Sequence, residues 1–136
     1  AERFIDSSDW HRCTLELENG RSDLPLYLDT ASVAPDINGD RWGTVTKTIP
    51  AKGSGTVTFK YHSNTDDKNA KIPFLLGDQF LDKTILINLD CLEGIGSNVN
   101  KEKTTCQSVD STRYKCEFQR FKDAQKTVVY KVSEAF

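Results

Sequence analysis

The sequence contains no methionine, only two histidines and no pair of cysteines in C-x-x-C spacing. Zinc and iron–sulfur sites are built mainly from such cysteine pairs and from histidine, so the sequence predicts neither. No hydrophobic run approaches the roughly 18 residues that a membrane-spanning helix requires. No N-x-S/T sequon is present, so the sequence offers no acceptor for N-linked glycosylation. These absences predict a domain without a metal or other cofactor.

Length and composition predict one domain over residues 1–136. The chain is 37% hydrophobic and 28% charged, which is typical of a folded domain and not of a disordered one. Its formal net charge of −2 argues against a general nucleic-acid-binding protein. Acidic side chains predominate in residues 1–40 and basic ones in residues 101–136, an asymmetry that can orient a charged partner.

Four cysteines are the most informative residues of the chain: Cys13, Cys91, Cys106 and Cys116. Because their spacing does not suit a metal site, they predict two disulfides. Two disulfides in turn predict an oxidising compartment. A chain that starts at Ala1 and lacks methionine agrees with the removal of a secretion signal. We therefore expect a secreted, extracellular protein.

Alternation of hydrophobic and polar residues predicts β-strands along most of the chain. Every second residue is apolar from Cys13 to Glu18 and again from Val57 to His62, a period that suits a strand and not a helix. Asn19-Gly20 predicts a tight hairpin turn that leads to an edge strand over residues 24–28. Residues 72–81 fit either a buried strand or a short helix.

About eight such strands, with no convincing long helix, predict an all-β protein. The expected architecture is an antiparallel β-sandwich or a flattened barrel.

The strand pattern also indicates how the cysteines pair. Cys13, Cys91 and Cys116 fall on apolar faces, whereas Cys106 falls in the long hydrophilic loop that begins at Gly94. We favour Cys91–Cys106, which would fix this loop, together with Cys13–Cys116. Pairing of Cys13 with Cys91 and of Cys106 with Cys116 is the alternative.

The two histidines, His11 and His62, are the residues on which a small secreted nuclease would depend for general acid and base catalysis. Nothing in the sequence places them together, and exposed surface histidines are the simpler interpretation. A small secreted ribonuclease or other hydrolase that uses this pair is therefore an alternative function.

Three aromatic residues, Trp10, Tyr27 and Trp42, lie near predicted loops or strand ends. Aromatic rings in such places can stack on sugar rings or enter a lipid interface. Packing in the core or at its rim is the alternative, above all for Trp42 beside Gly43. We predict the three as binding residues.

Loops on a rigid sandwich are where recognition commonly occurs. The candidate loops are residues 34–40, 63–71 and 94–105. Four polar residues in the first two of them complete the predicted binding set: Asp36, Asn38, Asp66 and Asp67.

A tryptophan-containing strand at residues 39–45 is followed, at residues 49–59, by a glycine- and serine-containing turn and a strand that ends in an aromatic residue. Over residues 13–62 this arrangement resembles the aegerolysin and actinoporin-like cytolysins, which are small secreted β-sandwich proteins. The resemblance implies a β-sandwich that binds membrane lipid. The four cysteines set this chain apart from that family.

These observations predict a secreted, disulfide-bonded β-sandwich that acts by binding and not by catalysis. A host-directed effector, toxin or elicitor, with a role in virulence, is the expected class of function, and this step is an argument from class. The expected partner is a protein or another cell-surface molecule. Membrane lipid or carbohydrate are possible ligands, and nucleic acid is not expected. A lipid-binding cytolysin is a further alternative.

Overall fold

The computed structural model describes residues 10–33, 37, 41–62, 68–76, 84–92, 98–109 and 113–135, with backbone alone at 62 and 84. Ten strands are present: β1 (Trp10–Asn19), β2 (Leu26–Leu28), β3 (Trp42–Val45), β4 (Thr48–Ile49), β5 (Ser54–His62), β6 (Asn69–Leu76), β7 (Thr84–Asp90), β8 (Thr105–Ser108), β9 (Tyr114–Lys122) and β10 (Thr127–Glu134). One turn of 3₁₀ helix covers Thr30–Ser32. The described residues form no helix that is long and apolar enough to cross a membrane. The all-β prediction is confirmed.

The strands form two five-stranded sheets. Sheet A has the order β3-β5-β1-β10-β9, and sheet B has the order β4-β2-β6-β7-β8. β1 and β10 pair in parallel, with Thr14 opposite Thr127 and Asn19 opposite Val132. The other pairs of named strands are antiparallel. A β-sandwich is therefore confirmed, with a parallel pair at the centre of sheet A.

The core consists of the side chains that alternate strand positions direct between the sheets. Sheet A contributes Leu15 and Phe59, and sheet B contributes Phe74 and Ile87, all of them fully buried. Burial of a side chain of this size contributes roughly 1.5–3 kcal/mol. Since a shift of one residue would turn these side chains to solvent, the alternation fixes the register of each strand.

Two tyrosines bring hydroxyl groups into this core. The Tyr61 hydroxyl donates to the Leu92 carbonyl at 2.8 Å, and the Tyr130 hydroxyl donates to the Thr104 carbonyl at 3.3 Å. Burial raises the pKa of the Tyr61 phenol, and the carboxylate of Asp90 raises it further. Burial also raises the pKa of Tyr130. Both side chains thus stay neutral hydrogen-bond donors well into alkaline pH.

The disulfides Cys13–Cys91 and Cys106–Cys116 join the two sheets. The favoured pairing of Cys13 with Cys116 and of Cys91 with Cys106 is wrong, and the alternative is correct. The reason is that Cys106 lies in β8, opposite Ile87, and not in a loop. β8 and β9 are the last strands of their sheets on the same side of the sandwich, which brings the Cα atoms of Cys106 and Cys116 within 5.9 Å. Two disulfides are compatible with an extracellular protein.

The hairpin predicted at Asn19-Gly20 does not form, because β1 and β2 belong to different sheets. The Asn19 side chain is buried and donates to the carbonyls of Leu24 and Ile49, at 2.8 Å and 3.2 Å. Its Oδ1 accepts from the backbone N–H of Arg21 at 3.1 Å. Asn19 therefore fixes a crossing between sheets. β2 lies between β4 and β6, so it is not the predicted edge strand.

Two predicted loops are shorter than expected. β6 begins at Asn69, within the predicted loop 63–71, and β8 begins at Thr105, at the end of the predicted loop 94–105. β6 also decides the nature of residues 72–76, which form a strand. The remainder of the 72–81 stretch lies outside the described residues.

Candidate binding site

A depression of about 590 Å³ opens on the outer face of sheet A, near the start of β1. Its walls come from β1, β3 and β5 and from the turn between β9 and β10. We call it the Trp10 depression, and it is lined by Trp10, Arg12, Thr14, Gly43, Thr44, Thr58, Lys60, Asp123, Lys126 and Thr127.

Threonine hydroxyls form the floor of the depression. Thr14 of β1 lies between Thr58 of β5 and Thr127 of β10, because the strand register pairs it with both. The hydroxyl oxygens of Thr14 and Thr58 are 3.0 Å apart and share a hydrogen bond. The Thr127 hydroxyl donates to Oδ2 of Asp123 at 3.3 Å. A hydroxyl both donates and accepts hydrogen bonds, so this row can bind either a donor or an acceptor group of a polar ligand.

Among the described residues of the rim, three side chains are cationic and one is a carboxylate: Arg12, Lys60 and Lys126 against Asp123. Arg12 and Lys60 occupy directly opposite positions on β1 and β5. Like charges in opposite positions destabilise a sheet. The arrangement concentrates positive charge at one place on a protein of net charge −2.

Trp10 closes one side of the depression. Its side chain is half-buried, and the Lys60 ammonium lies 5.6 Å from the centre of its ring. A cation at this distance from an indole ring is attracted to the ring face. The contact holds the Trp10 ring and the Lys60 charge beside each other at the mouth of the site.

The turn between β9 and β10 is strained. Asp123, Ala124 and Gln125 have φ angles of 53°, 55° and 74°, a left-handed conformation that costs roughly 1–3 kcal/mol for each residue with a side chain. The backbone hydrogen bonds that hold the turn include those from Val99 N to the Gln125 carbonyl at 2.8 Å and from Lys126 N to the Asp123 carbonyl at 3.1 Å. Such strain is concentrated at functional sites, and here it places Asp123 and Lys126 at the rim.

Of the predicted aromatic residues, Trp10 lies in the depression and the other two lie elsewhere. Tyr27 is half-buried in sheet B, between Thr48 and Leu75. Trp42 is only 8% exposed and packs in the core, with its ring centre 5.5 Å from that of Phe59. Packing in the core, which was the alternative to a binding role, is thus what the structure shows for Trp42. The four predicted polar contacts lie outside the described residues: Asp36, Asn38, Asp66 and Asp67.

His11 does not line the Trp10 depression. His11 is half-buried, and its ring centre lies 5.5 Å from that of Tyr61. His62 is opposite Trp10 in the register of β5 and β1, and its side chain is not described. The hydrolase alternative stays a prediction. Within the part of the chain that is described, no group of three acidic, histidine or cysteine side chains gathers as a metal ion would require.

Most residues of the depression were missed from the sequence. The signal that could have identified them is the polar face of two predicted strands, Arg12 and Thr14 on β1 and Thr58 and Lys60 on β5. Only the strand register shows that these four lie together.

No protein-family model matches the chain, and no curated protein matches it. Among solved structures, the chain is similar to IP-1A from Alcaligenes faecalis, known from a crystal structure. The two chains are 11% identical, the alignment covers 96% of each, and the TM-score is 0.55. At this identity the likeness shows the fold alone, which the two proteins share over nearly their whole length.

Proposed function

We propose that this protein is a secreted, non-enzymatic binding protein that recognises an anionic carbohydrate through the Trp10 depression. The observation that carries the proposal is the combination of three cations, a threonine floor and a tryptophan around one depression. The effector, toxin or elicitor role expected from the class of the protein would depend on this binding.

Each part of the depression matches one part of such a ligand. Arg12, Lys60 and Lys126 suit a sulfate or carboxylate group, because hydrogen bonds between opposite charges are the strong ones. The hydroxyls of Thr14 and Thr58 suit sugar hydroxyls, which also both donate and accept. The volume of about 590 Å³ falls in the range of roughly 300–1,000 Å³ that is typical of small-ligand sites.

Membrane lipid, which the resemblance to the cytolysins implies, fits this depression less well. Among the described residues, the large exposed hydrophobic side chains are Leu86, Leu92, Val109 and Phe118. None of these lines the Trp10 depression. A protein that lies in a membrane interface places apolar side chains next to its charged ones. The experiment below therefore includes lipid vesicles as a second ligand.

The test measures binding of the oxidised protein to a sulfated polysaccharide such as heparin, and in parallel to vesicles of phosphatidylcholine with phosphatidylserine. Lys60→Glu should weaken polysaccharide binding by about ten- to a hundredfold, since it removes a charge-assisted contact. Lys71→Glu is the matched control, because it makes the same charge change at an exposed site on sheet B. It should leave the affinity nearly unchanged.

Equal loss in Lys60→Glu and Lys71→Glu would show a non-specific charge effect and overturn the proposal. Binding to vesicles with no binding to the polysaccharide would also overturn it, in favour of the lipid alternative. Trp10→Ala separates the aromatic contribution from the charges. It should weaken binding while the circular dichroism spectrum stays that of the native protein.

A further inference from the structure

A second depression lies at the other end of sheet A, where β1 and β10 end and β9 begins. It measures about 360 Å³, and we call it the Arg21 depression; it is lined by Arg21, Arg113, Tyr114 and Glu134. The length of β1, about 30 Å at the usual rise per residue, separates it from the Trp10 depression. It is a different site, and its chemistry is independent of the proposed function.

Arg21 is buried without enough hydrogen-bond acceptors. Its side chain is 5% exposed, and its Nε and Nη1 atoms are buried and have no hydrogen-bond partner. Its Nη2 atom lies 3.8 Å from Oε2 of Glu134, which is longer than a hydrogen bond. A buried donor without an acceptor costs roughly 1–3 kcal/mol, and more when it is charged. Within the described part of the chain, Arg21 is therefore left with unsatisfied donors.

The guanidinium groups of Arg21 and Arg113 both lie near the ring of Tyr114. The Arg21 guanidinium lies 4.4 Å from the centre of the Tyr114 ring, and that of Arg113 lies 5.1 Å from it. Such stacking uses the flat face of a guanidinium group, whereas its N–H groups point outward in the plane. Tyr114 is itself 3% exposed, so it is a fixed support beside both cations.

Glu134 is the acidic side chain of the depression, and its position does not neutralise the pair. It is 55% exposed, so it can turn into solvent at little cost. Among the described lining residues, two cations against one exposed carboxylate leave the depression with excess positive charge.

We propose that the Arg21 depression binds an oxyanion, a carboxylate or a phosphate group, which takes the place of Glu134 beside Arg21 and also contacts Arg113. The planar fork of a guanidinium matches the oxygen atoms of both groups. Binding places an acceptor beside Nη2 of Arg21, where Glu134 lies too far away for a hydrogen bond. A depression of about 360 Å³ accommodates one such group with a small part of the molecule that carries it.

The test is a titration of the intact, oxidised protein followed by ¹H–¹⁵N spectroscopy of the arginine side chains. The Nε–H signal of Arg21 is identified by its loss in Arg21→Lys. Inorganic phosphate and acetate are added in separate titrations, at an ionic strength kept constant with sodium chloride. We expect a saturable shift of the Arg21 signal. Response to phosphate alone identifies a phosphate site, and response to acetate alone identifies a carboxylate site.

Three variants make the result specific. Arg113→Ala should weaken binding by about tenfold or more, since it removes a charge-assisted contact. Glu134→Gln should strengthen binding by about two- to fivefold, because the competing carboxylate is gone. Arg120→Ala is the control: Arg120 is an exposed arginine of β9 that forms an ion pair with Glu18, and its loss should change nothing. No saturable shift at Arg21, or equal effects of Arg113→Ala and Arg120→Ala, would overturn the proposal.

Discussion

The two sheets share one core, yet their outer faces differ. The outer face of sheet A carries charged side chains from β1, β5, β9 and β10, and it contains the Trp10 depression. The outer face of sheet B is mostly uncharged at its centre, where Tyr27, Pro73, Leu75 and Leu86 lie on neighbouring strands. Both faces come from the same alternation. The buried face of each strand fixes the fold, and the outer face is available for other roles.

Charged side chains on the outer face of sheet A also cover apolar surface. Lys122 pairs with Glu16 at 2.8 Å, and Arg120 pairs with Glu18 at 3.2 Å, each across β10. Between them lies Val129, which is fully buried although it lies between Glu16 and Arg120 on the outer face. Long charged side chains can bury apolar surface beneath their stems. On sheet B, Leu86 is 37% exposed.

The largest expected effect on the free energy of unfolding comes from removing the disulfides that join the two sheets. Cys13→Ala with Cys91→Ala removes a bridge with a sequence separation of 78 and should lower the free energy of unfolding by about 4.5 kcal/mol on the chain-entropy estimate. Cys106→Ala with Cys116→Ala, with a separation of 10, should lower it by about 2.7 kcal/mol. Chemical denaturation of both variants measures the difference. The reverse order of losses would contradict the chain-entropy explanation.

A smaller effect should distinguish the outer faces directly. Val129→Ala should lower the free energy of unfolding by about 2 kcal/mol, because it removes buried methyl groups beneath the ion pairs. Leu86→Ala, on the outer face of sheet B, should cost less than about 1 kcal/mol because much of that side chain is already in water. Urea denaturation compares them. If Leu86→Ala lowered the free energy of unfolding as much as Val129→Ala, the two outer faces would not differ in how well they bury apolar side chains.

The smallest effect concerns the strained turn beside the Trp10 depression. Ala124→Gly should raise the free energy of unfolding by about 0.5 kcal/mol, since glycine adopts the left-handed conformation without strain. It should also weaken polysaccharide binding, because the turn that places Lys126 becomes less rigid. Lys52→Gly is the control: Lys52 has a φ of 63° and lies away from the depression. It should stabilise the protein to a similar extent without a change in affinity. A loss of affinity in Lys52→Gly would contradict the assignment.

The sequence predicted the strands well because burial on one face leaves a period-two pattern. It did not predict which strands are neighbours. Asn19-Gly20 has the local preference of a hairpin turn, but the carbonyls of Leu24 and Ile49 that bind Asn19 are a tertiary feature. Cys106 has few apolar neighbours in sequence, so the short strand that contains it resembled a loop.

The candidate site was harder to predict than the fold. Trp10 and Trp42 were both predicted as binding residues. Trp10 lines the depression, whereas Trp42 packs in the core. The threonine floor depends on a register that joins Thr14 to Thr127, from opposite ends of the sequence. The left-handed turn has no glycine to reveal it. Each of these features results from long-range pairing, which local patterns do not record.

The parallel pairing of β1 with β10 affects when sheet A can fold. β1 is the earliest described strand and β10 the latest, and they are neighbours at the centre of sheet A. Until β10 has been synthesised, β1 has β5 as its only neighbour in the described sheet, and closing so long a loop is entropically costly. Chains dominated by such distant contacts fold slowly. The centre of sheet A therefore cannot be completed until two strands from distant parts of the sequence have come together.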